Sequence, residues 1–165
     1  MSKDVRMLKP LALAALSVSM VHAATAEPIS PRDASKLLKD MGSTGVSIKW
    51  VNDETARIEA TLKDYFFNVR LMNCNDEGLC ASSMIFATFS MDGSPSFSEY
   101  QHINEYNDSY PFGRAFLLDS SDADEYVVGV DYSADISAEN DFTEGDVDMF
   151  FVILNSFVTH MSEAE

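Results

Sequence analysis

Apolar and polar residues alternate through most of the region from Val46 to Met91. In "VSIKWV", Val46, Ile48 and Trp50 alternate with Ser47 and Lys49. In "ETARIEATL", Ala56, Ile58, Ala60 and Leu62 alternate with Thr55, Arg57, Glu59 and Thr61. Tyr65, Phe67, Val69 and Leu71 share one face of "YFFNVRLMNC", and Ile85, Ala87, Phe89 and Met91 share one face of "CASSMIFATFSM". A period of two predicts four strands, each with one face turned to a core.

The four registers can be checked against one another. A two-residue turn at Lys63-Asp64 sets Leu62 opposite Tyr65, Ala60 opposite Phe67, Ile58 opposite Val69 and Ala56 opposite Leu71. A three-residue turn at Asn52-Asp53-Glu54 sets Trp50 opposite Ala56 and Ile48 opposite Ile58. Placing Cys74 opposite Cys80 sets Val69 against Ile85, Phe67 against Ala87 and Tyr65 against Phe89. All of these apolar residues then fall on one side, and a slip of one residue would undo the arrangement.

Helical spacing brackets and interrupts the strands. Ser30 followed by Pro31 predicts a helix start, with Ala34, Leu37, Leu38 and Met41 on its apolar face and Gly42 at its end. Ser96 and Glu99 have the spacing of a capping box, and Phe97, Tyr100, Ile103, Asn104 and Asn107 follow at helical intervals. Two further strands are expected at Phe112 to Asp119 and Glu125 to Tyr132, joined by a turn at Ser120 to Asp124. Ser137 is the expected cap of a long last helix, whose first turns carry Glu139, Asp141 and Glu144. Its apolar stripe is Val147, Phe150, Phe151, Leu154, Phe157, Val158 and Met161. The order α-β-β-β-β-α-β-β-α with tight turns predicts an α+β fold, an antiparallel sheet with three packed helices.

The first residues read differently. Lys3, Arg6 and Lys9 precede the apolar run Leu11 to Val21, which is too short to span a bilayer, and "ATA" (Ala24 to Ala26) follows. This is the pattern of a secretory signal peptide over residues 1–26, with "VHA" ending at Ala23 as the alternative cleavage point. The expected mature domain is 27–165, periplasmic or secreted. No cysteine stands near the cleavage site to take a lipid, and no second apolar segment suggests insertion in a membrane. The full chain of 165 residues carries a net charge of −16; removing three basic residues and Asp4 takes this to −18. Such a balance disfavours nucleic acid and anionic lipid. An apolar share of 46% is too high for a disordered acidic chain.

Cys74 and Cys80 are the only two cysteines. Zinc would need two more ligands, and beyond the leader the chain holds only His102 and His160. A redox dithiol is normally spaced C-x-x-C. In an exported chain the expectation is a structural disulfide that staples the hairpin turn, contributing roughly 2–2.5 kcal/mol by loop closure.

"NEYN" (Asn104 to Asn107), "FGRAFLLD" (Phe112 to Asp119), "SAEN" before an aromatic-rich last helix, and a cysteine pair on the turn before "SMIFATF" together resemble the YbjN-domain proteins. The resemblance runs from about Ser30 to about His160. It implies a fold like that of the type III secretion chaperones, which are small, acidic, often dimeric and bind other polypeptides. It also implies a regulatory role and brings no catalytic residues with it. Export departs from the cytoplasmic members, so an intracellular signalling role does not carry over.

The candidate sites are few. Glu99, His102 and Glu105 recur every three residues, but a metal site would need matching ligands from other helices. "DSSDADE" (Asp119 to Glu125) lacks the glycine and terminal bidentate Glu of a calcium loop. No glycine-framed serine, phosphate loop or free cysteine is present, so neither a catalytic residue nor a cofactor is assigned. Arg114 shares a strand face with Phe112, Phe116 and Leu118, where an arginine calls for a carboxylate or carbonyl partner. Asn104 and Asn107 are expected to brace the neighbouring loop.

The remaining clue is the second face of the central hairpin. Phe66, Asn68, Arg70 and Met72 lie on one strand, with Met84, Phe86 and Thr88 across from them. Phe66, Met72, Met84 and Phe86 make a large apolar group for a face turned to solvent. Either they form an interface, with a protein partner or a second copy, or a helix such as the first covers them. The expected function is a non-enzymatic, protein-binding, regulatory or chaperone-like module. The alternative is a small-ligand or metal binder, or an enzyme, working near Arg114 and Asn104.

Overall fold

A computed structural model describes residues 28–119, 124–136 and 141–163. The expected signal peptide, the Ser120–Asp124 turn up to its last residue, and the expected cap at Ser137 lie outside them. The elements run α1 (Pro31–Asp40), β1 (Thr44–Asn52), β2 (Thr55–Leu62), β3 (Tyr65–Cys74), β4 (Cys80–Asp92), α2 (Phe97–Ser109), β5 (Arg114–Asp119), β6 (Glu125–Asp135) and α3 (Glu144–Ser162). The six strands form one antiparallel sheet in the order β1-β2-β3-β4-β6-β5. The α+β class and element order are those the alternation predicts.

The hairpin registers also agree. Leu62 faces Tyr65, Ala60 faces Phe67, Ile58 faces Val69 and Ala56 faces Leu71. The turn between them places Lys63 and Asp64 at φ 51° and 67°, both left-handed, as the tightest two-residue hairpins require. Trp50 faces Ala56 and Ile48 faces Ile58, and a bulge then lets Asn52 close on Thr55. The β3–β4 ladder runs from Cys74 opposite Cys80 to Asn68 opposite Phe86 and includes Val69 opposite Ile85. The expected Phe67–Ala87 and Tyr65–Phe89 pairs fall past its end, where β4 continues against β6 as far as Asp92.

All three helices pack on one face of the sheet and close a single core. Ala34 and Leu38 of α1, Phe67, Val69 and Leu71 of β3, and Phe150, Leu154 and Phe157 of α3 are at most 1% exposed. Phe67 meets the ring of Phe151 edge-on at 5.4 Å, and Phe89 stacks on Phe157 at 6.2 Å. Ser30 caps α1 by accepting from the Asp33 amide, and Gly42 ends it at φ 91°.

Three local expectations need correction. The last helix starts at Glu144, not near Ser137, because Asp146 reaches back to the Thr143 amide and hydroxyl at 2.7 and 2.9 Å. Glu144 and Asp146 are therefore its first-turn acids, and Asp141 precedes the helix. Strand β5 starts at Arg114 rather than Phe112. On β1, the edge strand of the sheet, Ile48 and Trp50 occupy the core-facing register yet stay 41% and 52% exposed.

Candidate binding face

The same alternation that fills the core assigns every second residue to the opposite face. Rows of cross-strand neighbours can be read directly from the registers. Arg57 faces Arg70, which faces Met84. Glu59 faces Asn68, which faces Phe86; Phe86 then faces Asp131, and Asp131 faces Arg114. Thr88 and Phe116 both face Gly129. A Cβ at Gly129 would come within 2.6 Å of both the Ala87 carbonyl and the Phe116 ring, so only glycine leaves room for that ring.

Among the described residues no helix covers this face. Helix α1, the candidate cover, packs its buried Ala34 and Leu38 into the core on the other side. Phe66 remains 55% exposed, and Met72, Met84 and Phe86 are half-buried by their neighbours on the sheet. A groove of ≈ 450 Å³ runs between Arg70, Met84 and Phe86 on one side and Arg114, Phe116 and Leu118 on the other.

Cations are gathered on this face of an acidic chain. Arg114 donates to Asp131 at 2.6 and 3.2 Å, and Asp131 is only 5% exposed. Lys49 and Arg57 share Glu59, at 3.1 and 2.8 Å. The Lys49 hydrogen bond holds the Glu59 carboxyl below its ordinary ionisation range; desolvation opposes this, and the charges of Lys49 and Arg57 reinforce it. Arg57 Nε is buried with no hydrogen-bond partner. Arg70 lies over the Phe86 ring, 5.2 Å from its centre, and forms no salt bridge among the described residues.

The other sequence candidates are placed as follows. Cys74 and Cys80 are bonded, with 3.8 Å between their Cα atoms. Asn107 makes a paired bond to the Ala115 backbone, donating to its carbonyl at 3.0 Å and accepting from its amide at 2.8 Å. It thereby ties α2 to β5. Asn104 is exposed on α2 and does not line the groove near Arg114. Glu99, His102 and Glu105 do not meet as a trio, although His102 Nδ1 comes within 3.6 Å of the Glu105 carboxylate. Glu99 caps α2 and accepts from the Tyr126 hydroxyl, whereas His102 turns toward α3. There it stacks on His160 at 3.9 Å, and each Nε2 reaches the other's backbone carbonyl, at 2.7 and 2.9 Å. Among the described residues no three of His, Cys, Asp and Glu are grouped to hold a metal.

Two features carry weaker sequence signals. Tyr106 is fully buried between α2 and α3, donates to the Ile153 carbonyl at 3.2 Å, and has its hydroxyl pushed up to about 12 by burial, with a smaller contribution from Tyr110. Only its spacing from Ile103 hinted at this. The stacked histidines join residues 58 apart, a separation that leaves no local pattern.

Comparison with known proteins finds no matching family model, curated protein or solved structure.

Proposed function

We propose that the chain is an exported, non-enzymatic module of the YbjN type that binds a polypeptide on the uncovered face of its sheet. The observation that supports this best is the exposure of Phe66 beside Met72, Met84 and Phe86, on a face with no helix over it among the described residues. Methionines adapt to differing partner surfaces, which suits a chaperone-like or regulatory binder. The short motifs shared with YbjN-domain proteins, and through them the likeness to type III secretion chaperones, point the same way. Export is supported by the leader pattern and by a disulfide, which persists in an oxidising compartment.

A small-ligand reading has one observation in its favour, the groove beside Arg114. Its size is within the usual range for such ligands, but Asn104 takes no part in it.

One substitution tests the proposal. Phe86→Glu places a charge where a partner would have to desolvate it, which opposes binding by several kcal/mol. Capture of a polypeptide partner, or self-association by sedimentation, should be lost while the protein stays folded, with only a small fall in melting temperature from the new carboxylate facing Asp131. Unchanged binding and assembly with unchanged stability would remove the support for this face.

A further inference from the structure

The charges on this face specify the partner. Glu59 is engaged by Lys49 and Arg57, and Asp131 by Arg114. Arg70 is different: its guanidinium lies on the Phe86 ring, stands across from Arg57, and has no acid of its own among the described residues. Its apolar neighbours are Met84, opposite, and Met72, two residues along its own strand; Arg57 and Asn68 lie on its other sides.

We infer that the polypeptide taken by the uncovered face is an acidic amphipathic segment, whose apolar side chains lie on Phe66, Met72, Met84 and Phe86 while a carboxylate lands on Arg70. This rests on the reading above and names the chemistry of the partner. A guanidinium with its carbon over a ring and no acid of its own has N–H groups free for a carboxylate, and the pair strengthens as the partner excludes water. A second copy seated face to face fits poorly. It would set Lys49, Arg57, Arg70 and Arg114 against the same four cations, and both nearby carboxylates are already engaged. The acidic remainder of the chain does not forbid an acidic partner. At physiological salt, exposed charges beyond roughly 8 Å are largely screened; with Lys49, Arg57 and Arg114 sharing Glu59 and Asp131, Arg70 is the local charge left for a partner.

The test is a double-mutant cycle with three labelled peptides. One intersperses leucines with glutamates, and the others carry glutamine or lysine in place of glutamate. Their binding to the disulfide-bonded protein is followed by fluorescence anisotropy. The acidic peptide should bind about tenfold tighter than the glutamine peptide, the scale of one charge-assisted hydrogen bond. Arg70→Met should erase that difference, weakening the acidic peptide about tenfold more than the glutamine peptide, and Arg70→Lys should restore part of it. A melting curve shows that each variant is folded. Equal losses for both peptides in Arg70→Met, or tightest binding by the lysine peptide, would overturn the acidic assignment. If all three bind alike and Phe86→Glu abolishes all three, the acidic assignment fails and polypeptide binding survives. Binding of none, with Phe86→Glu also leaving assembly and stability unchanged, overturns both.

Discussion

The two faces of the β2–β3–β4 hairpins are built from alternate residues of the same strands, yet they end in opposite conditions. Phe67, Val69 and Leu71 are completely buried; Phe66, one residue away, is 55% exposed. The inner residues gain stability by losing water against α1 and α3. The outer group of Phe66, Met72, Met84 and Phe86 is also apolar, but among the described residues no helix covers it, and only its sheet neighbours partly shield it. The inner face therefore explains why the chain folds, whereas the outer face is apolar beyond what folding uses. That excess is the physical basis for assigning it a partner.

Substitution at matched positions should separate the faces most sharply. Phe150→Ala, which empties a fully buried site against Phe67, should cost about 3–5 kcal/mol in denaturant unfolding. Phe66→Ala should stay within about 0.5 kcal/mol, as an exposed side chain does. A loss at Phe66 as large as that at Phe150 would mean that the outer face is covered after all.

The disulfide is expected to be next in size. Replacing both Cys74 and Cys80 with serine should lower stability by about 2 kcal/mol, mainly through the unfolded chain, and leave binding at the outer face intact. Loss of binding at unchanged stability would instead make the stapled turn part of the site.

A smaller effect belongs to the inner side alone and is set by pH. Tyr106 in the folded protein keeps its proton up to about 12, whereas the unfolded chain releases it from its ordinary value of 10.0. Its contribution is therefore intact below pH 10 and is lost as pH rises from there toward 12, where the unfolded state binds fewer protons. Tyr106→Phe should flatten that part of the alkaline decline, measured as unfolding free energy at about pH 9 and about pH 11. An equal decline in the variant would place the alkaline sensitivity elsewhere.

The outer-face residues were assigned to their face from sequence because strand periodicity is local. Once Cys74 faces Cys80, the side of every residue from Ala56 to Ile85 follows. Burial was less legible wherever it depends on distant packing. Ile48 and Trp50 have the right register but lie on an edge strand and stay exposed. Tyr106 sits in a polar stretch and is buried only because Phe157 and His160 of α3 close around it. The start of α3 was misplaced because acids from Glu139 onward all suit a helix start, and the reach of Asp146 to Thr143 selects the later one. Arg114 was expected to need a carboxylate or carbonyl, and Asp131 supplies it from the other strand of the expected β5–β6 hairpin; the register that sets the two opposite was not assigned from sequence. Asn107 does brace β5; Asn104, three residues earlier, does not share that contact.

The central claim is that the uncovered sheet face is where a polypeptide binds. Its most direct test is a methyl-resolved NMR titration of the disulfide-bonded protein with the leucine–glutamate peptide. The methyl signals of Met72 and Met84 should shift in a saturable way, while those of the buried Ile58 and Ile85 stay in place. Shifts confined to the exposed edge at Ile48 and Val51, with Met72 and Met84 unmoved, would contradict the account and move the binding site to β1.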